Sequence, residues 1–401
     1  MAMDQRSTDE SLEELEALLE TAGGTACGVV LQSRDKPDPR TFLGKGKILE
    51  MKDFIEAEKC DLAVIDNELS PSQMRAMSEE LGGIRVIDRS GLIMDIFAQR
   101  AQTREGKLQV ELAQYKYLLP RLTGMWTHLV SQTGSSAPIG TRGPGETQLE
   151  SDRRHIRRKL QKLEEELEQV RRIRSTQRQQ RERNAVPVVA LVGYTNAGKS
   201  TLLNQITGAD IQAKDRLFDT LDTTTRQIRF DEVGEILLSD TVGFIQRLPH
   251  HLVEAFKATL DELTYADLLI HVIDASNPGW DDQVKVVNSL IRELGAEETP
   301  RLEVFNKSDI CTDESLPHNR DILRISARTG EGCDALTRRI AEILIQTSNR
   351  VNLRIPYQDA RIIDLIYREG AVTSREDLED YIAITATVPE RLYGQLKMYI
   401  Q

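Results

Sequence analysis

Apolar residues recur along this chain in two rhythms. Short unbroken apolar runs, bounded by Gly, Pro, Asn or Asp, predict buried strands at 26–31, 62–65, 84–87, 186–192, 235–239, 268–273, 302–305 and 322–325. Between them, spacings of three and four predict helices at 48–59, 70–82 and 92–101, the second opened by Ser70-Pro71 as cap and first-turn proline. Strand alternating with helix is the pattern of α/β domains with parallel sheets. From about 103 the rhythm changes. Residues 108–119 have a helix-forming composition, and Ile156, Leu160, Leu163, Leu167 and Val170 recur at spacings of 4, 3, 4 and 3. That seam predicts two helices packed as an antiparallel hairpin. The connection at 133–147 holds four glycines and two prolines, which allow no regular element. Beyond 350, strands at 351–355 and 382–387 and helices at 359–368 and 389–400 predict a small α/β appendage. The chain thus divides into an α/β domain (1–102), a helical arm with a glycine-rich tip (103–184), a doubly wound α/β domain (185–347) and a C-terminal α/β domain (348–401).

Charge changes the picture at one place. The 401 residues carry a net charge of −12, which excludes a protein that coats nucleic acid with its whole surface. Residues 153–183 nevertheless hold 12 Lys/Arg against 5 Glu, a local net of +7. A basic arm on an acidic body is an electrostatic address for a phosphate backbone, and Arg142, Arg153, Arg154, Arg157 and Arg158 are its candidate RNA contacts. No aromatic residues interleave with the charges, so structured RNA read by shape fits better than stacked single strands; a purely structural hairpin is the alternative. Cys27, Cys60, Cys311 and Cys333 lie far apart with no C-x-x-C pair, which argues against a zinc site and for a reducing compartment. No apolar stretch approaches the roughly 18 residues of a membrane span, and residues 1–20 lack a signal-peptide core. The expectation is a cytoplasmic monomer.

The chemistry concentrates after the 186–192 strand. Gly193-Tyr194-Thr195-Asn196-Ala197-Gly198-Lys199-Ser200 fits G-x-x-x-x-G-K-[ST], whose backbone N–H groups wrap a di- or triphosphate, and Thr201 continues into a helix whose positive end faces the anion. Lys199 should reach the β- and γ-phosphates and Ser200 should ligate Mg²⁺. Asp240-Thr241-Val242-Gly243 follows a strand, so Asp240 can hold the metal's water shell and the Gly243 N–H can meet the γ-phosphate. Asn306-Lys307-Ser308-Asp309 follows another. The Asp309 carboxylate accepts twice, which suits the N1–H and N2–H₂ of guanine and not adenine. Ser326-Ala327 resembles the loop whose N–H supports guanine O6. Together these predict GTP as the ligand. In the segment from Asp219 to Arg226, Thr225 is favoured as the Mg²⁺ and γ-phosphate threonine, with Thr224 as runner-up. Phe244 and Ile245 stand where many GTPases have a water-orienting Gln, and neither can do that work. The Asn196 side chain could ligate K⁺, or simply tolerate the turn.

These residues resemble the HflX family of translational GTPases, in the Obg–HflX branch of the P-loop class, over about residues 25–345. The motifs that carry the resemblance are Leu43-Gly44-Lys45-Gly46-Lys47, Gly106 to Ala113, Gly140-Thr141-Arg142-Gly143-Pro144-Gly145-Glu146-Thr147, Asp152-Arg153-Arg154, Thr223-Thr224-Thr225-Arg226 and Asp240 to Ile245. The resemblance implies a GTPase that binds the 50S subunit and its 23S rRNA, reaches towards the peptidyl-transferase region with its tip, and splits stalled or idle 70S ribosomes under stress. It also implies ATP binding by the N-terminal domain, for which Gly44 to Lys47 is the candidate stretch. In this branch an apolar residue after Gly243 is normal. Where the family's tip has two glycines, this chain has Ala137-Pro138, which stiffens the loop. The alternative function is a ribosome-assembly or RNA-binding GTP switch that does not split ribosomes.

Overall fold

The computed structural model describes residues 5–34, 36–125, 144–183, 186–208, 217–218, 224–230, 233–248, 252, 263–311, 322–346, 348–378 and 380–400. The chain forms two compact units, Met1–Gln169 with Leu248–Phe256, and Val170–Arg247 with Lys257–Gln401.

The first unit contains α1 (Gln5–Thr21), α2 (Lys45–Glu58), β1 (Leu62–Ile65), α3 (Pro71–Glu80), β2 (Arg85–Asp88), α4 (Arg89–Arg100) and α5 (Arg104–Met125). β1 and β2 pair in parallel, with Leu62 opposite Arg85. Ser70 caps α3 as expected, and the Gln73 side chain completes a reciprocal capping box. Ile48, Ile55, Ala63, Ile65, Leu69 and Met77 form the core. The strand expected at 26–31 is absent: this stretch is irregular. Val29 is 57% and Leu31 44% exposed, so the apolar run lacks the buried face a strand requires. Helix α1 was not expected. Its Leu15 and Leu18 are buried in an otherwise acidic stretch whose charges mask the apolar stripe.

A polar knot ties α5 to this unit. Asp88, fully buried, accepts hydrogen bonds from the Leu69 and Gly91 N–H groups, from Tyr117 Oη at 2.7 Å and from Arg121 at 3.1 Å. Its neighbour Arg89 is ion-paired with Glu14 and Asp66. α6 (Pro144–Arg183) opens on a proline, which suits a first helical position, and so takes in the last residues of the stretch expected to be irregular. Arg104 pairs with Glu166 at 3.5 Å and Lys159 with Glu111 at 3.0 Å. Partners that climb one helix while descending the other define an antiparallel pair, as the heptad seam predicted. Leu163 and Leu167 are its buried members. Residues 126–143, most of the tip, lie outside the described residues.

The second unit carries a six-stranded sheet. Its elements are β3 (Val188–Gly193), α7 (Lys199–Thr207), β4 (Thr224–Phe230), β5 (Gly234–Asp240), β6 (Leu268–Asp274), α8 (Trp280–Glu293), β7 (Arg301–Asn306), β8 (Leu323–Arg324) and α9 (Cys333–Gln346). The order is β4-β5-β3-β6-β7-β8, parallel except for β4, which runs antiparallel to β5. β3, flanked on both sides, lies at the point where the order turns back, and ligands bind at such switch points. β9 (Ser348–Pro356), α10 (Ala360–Glu369), β10 (Ala371–Asp377), β11 (Tyr381–Pro389) and α11 (Glu390–Leu396) follow. They build an antiparallel sheet in the order β10-β11-β9 over a core of their own. β10 escaped the sequence pattern because Ser374 to Asp377 are exposed and polar, as an edge strand permits. No described helix is long and apolar enough to cross a membrane.

Candidate nucleotide site

The phosphate loop runs from the end of β3 to the start of α7. Gly198 has φ 93°, and a Cβ there would lie 2.2 Å from Asn306 Nδ2, so only glycine fits. The Lys199 side chain is buried, and its Nζ donates to the carbonyls of Gly193 (3.1 Å) and Tyr194 (2.9 Å). An ammonium has three donors, so one remains for a phosphate oxygen. Burial pushes the Lys199 pKa down to about 8, and the nearby Asp240 charge pulls it back up. His271 on β6 is also buried and is pushed down to about 3, by burial and then by Arg301 and Lys199, so it is neutral.

Asp240 ends β5, and Ser200 Oγ donates to its Oδ2 at 2.5 Å. Gly243 comes so close to the phosphate loop that a Cβ would lie 2.8 Å from Thr195 Cγ2 and 3.2 Å from Lys199 Nζ. On the base side, Asn306 joins two loops. Its Nδ2 donates to the Ala197 carbonyl and its Oδ1 accepts from the Ala327 N–H, both at 2.8 Å. Lys307, at φ 65°, is ion-paired at 2.7 Å with Asp274 from the end of β6. Asp309, three residues beyond Asn306, is exposed.

The Thr225 hydroxyl lies 3.2 Å from Ser239 Oγ. In the β4–β5 register Thr225 opposes Ser239, whereas Thr224 opposes Asp240. Adjacent strand residues point to opposite faces, so it is Thr224 that shares a face with Asp240. The Ala327 N–H is donated to Asn306, and Ser326 Oγ accepts from the Thr329 N–H. Ser326 and Ala327 therefore brace Asn306 and their own turn. Asn196 is exposed at φ 61°, and Thr201 lies in the first turn of α7.

The chain matches four family descriptions in succession: "GTP-binding GTPase N-terminal" (9–98), "GTP-binding GTPase Middle Region" (100–181), "50S ribosome-binding GTPase" (188–307) and "HflX C-terminal domain" (314–393). It is 46% identical over 392 residues to "GTPase HflX" of Caldanaerobacter subterraneus subsp. tengcongensis, covering 98% of this chain and 90% of that one. Against "GTPase HflX" of Escherichia coli K12 it is 46% identical over 377 residues, covering 92% and 88%. The chain belongs to the HflX GTPase family. Among solved structures, a GTP-binding protein of Sulfolobus solfataricus in complex with GDP is 27% identical, with a TM-score of 0.44 over 84% of this chain and 96% of that one.

As an HflX-family GTPase the protein binds and hydrolyses GTP, and such enzymes work with Mg²⁺ on the nucleotide. The site fits that ion. Ser200 Oγ and Asp240 Oδ2 are hard oxygen donors side by side, and among the described residues no cluster of three or more His, Cys, Asp or Glu competes for it. When bound, Mg²⁺ would supply positive charge against the phosphate oxygens. The remaining electrostatics belong to the chain: buried Lys199 and the positive N-terminal end of α7, which begins at that residue. The candidate RNA arginines Arg153, Arg154, Arg157 and Arg158 lie on α6 beside its apolar seam. Arg154, Arg157 and Arg158 are exposed, and none of the four pairs with a carboxylate among the described residues. Arg142 lies outside the described residues, as do Asp219 to Thr223. At the candidate ATP stretch, Gly44 caps α2 and donates its N–H to Gln32, while Lys47 pairs with Glu50. Sequence reasoning missed Asp274, which holds Lys307, and the contact of Tyr194 with the segment after Gly243. Neither belongs to a motif with fixed spacing, and both needed the strand order.

Proposed function

We propose that this GTPase binds the large ribosomal subunit through the basic stretch of α6 and splits stalled or idle 70S ribosomes, with GTP hydrolysis driving release. The observation that carries the reading is the exposed stripe Arg154, Arg157 and Arg158, with Arg153 beside it, unpaired among the described residues, in a chain whose 188–307 segment matches a 50S ribosome-binding GTPase family. Nearby on the same helix, by contrast, Lys159 pairs with Glu111 and Lys162 with Glu166. Unmatched arginines on an acidic chain suit rRNA phosphates. Ser200 and Asp240 hold Mg²⁺ in this reading, Thr224 joins them when the switch orders, and Asp309 reads guanine. Asn196 ligates K⁺, whose charge takes part of an arginine finger's role.

The test measures GTP hydrolysis with and without purified 50S subunits across a salt series, and follows 70S dissociation by sedimentation. Stimulation should fade with salt, and replacing the four arginines by alanine should flatten the log–log salt dependence by about 3. Stimulation without 30S/50S release would overturn splitting and leave the assembly-switch reading. Hydrolysis equally fast in K⁺ and Na⁺ would remove the K⁺ role.

A further inference from the structure

Phosphate binding leaves the Tyr194 side chain unexplained. It is only 5% exposed, and its hydroxyl accepts a hydrogen bond from the Gln246 N–H at 2.8 Å. On the loop side of that contact the Phe244 N–H donates to the Gly193 carbonyl (3.1 Å), and the Thr195 N–H donates to the Phe244 carbonyl (2.7 Å). The phosphate loop and the segment after Gly243 are therefore joined along a short parallel bridge between Tyr194 and Phe244. Phe244 and Ile245 are both 1% exposed. Their buried side chains cannot orient an attacking water, so this segment acts through its backbone, and a backbone group is placed only as well as the chain is held.

We propose that Tyr194 is a positioning residue for GTP hydrolysis: through the Gln246 N–H its hydroxyl fixes the path of residues 243–246 against the phosphate loop. A tyrosine suits this task because its oxygen stands a full ring beyond the backbone. It catches the chain at Gln246, two residues past the bridge at Phe244. The same residue's carbonyl accepts from Lys199, so the phosphate lysine and the switch segment share one anchor. The inference rests on the phosphate-loop reading of 193–200.

Tyr194→Phe keeps the ring and removes the acceptor. On the full chain, kcat for GTP hydrolysis should fall about 5- to 20-fold, the size expected for one hydrogen bond lost from a held geometry. KM and the GDP dissociation constant should stay within about twofold, because the phosphate contacts are intact. Amide hydrogen exchange at Gln246 should rise at least about tenfold. Gln246→Pro removes the donor instead and should lower kcat similarly, and the double variant should lose no more than either single one. Unchanged kcat in Tyr194→Phe would overturn the proposal, as would a loss of GDP affinity that accounts for the whole effect. Lys199→Ala, run alongside, should abolish tight GDP binding. If GDP still binds tightly, the phosphate-loop reading fails and the proposal falls with it.

Discussion

Truncating Asn306 to alanine removes a brace that holds the phosphate loop to the loop after β8. Asn306, Ala197 and Ala327 are 2%, 1% and 3% exposed, so water does not reach the groups the change leaves behind. Two partners are orphaned: the Ala197 carbonyl, which accepts from Nδ2, and the Ala327 N–H, which donates to Oδ1. At about 1–3 kcal/mol for each buried group left without its partner, the loss is about 2–6 kcal/mol. For a domain of this size roughly 2–4 °C of melting temperature follows each kcal/mol, so Asn306→Ala should melt at least about 4 °C lower. GTP affinity should fall as well, since Gly198 and Lys199 lie directly after the carbonyl that is released. Asn306→Asp separates the two bonds. It keeps the acceptor for Ala327 and places a carboxylate oxygen against the Ala197 carbonyl, so it should be no better than alanine. Scanning calorimetry and titration with GDP read both quantities. A melting temperature within about 1 °C of wild type, with unchanged GDP affinity, would refute the reasoning, because it would mean that neither bond supports the loop.

Two further outcomes follow from the same site. In Asp309→Asn one acceptor becomes a donor facing a guanine donor, so GTP-over-ATP preference should fall by about 10-fold or more; an unchanged preference in competition would overturn the base assignment. Lys199 gives a pH signature. Its folded pKa of about 8 lies below the ordinary 10.5, so between these values the unfolded chain holds more protons than the folded one. Stability of the nucleotide-free protein should therefore rise with pH from about 8 to about 10.5, the penalty of the buried charge being fully present below 8. Urea midpoints measured at both ends of that window should lose this rise in Lys199→Met; an identical rise in the variant would assign it to another group.

Much of this protein was determined locally, and those parts were legible. A buried parallel strand is a continuous apolar run, so β3, β6 and β7 stand out in the sequence. The phosphate loop is read from eight consecutive residues because its chemistry uses backbone N–H groups and glycines at fixed spacing. Ser70-Pro71 marked the start of α3, and the spacing from Ile156 to Val170 marked a packed helix. What failed was whatever depends on a distant partner. Residues 26–31 have the composition of a strand, but exposure and not composition decided their state. Thr224 and Thr225 are equivalent as letters. Only the antiparallel pairing of β4 with β5, with its two-residue period, places Thr224 and not Thr225 opposite Asp240. Asn306 was read as part of a base-recognition motif; that its two hydrogen bonds reach 109 and 21 residues away and brace two loops could not be read from spacing. The Tyr194 hydroxyl finds its partner 52 residues along the chain, at a distance no spacing rule covers. The sequence determined which chemistry was present, because that chemistry is carried by residue type and short-range spacing. The tertiary structure decided which of several equivalent residues stand opposite one another, because strand order and register set which side chains meet.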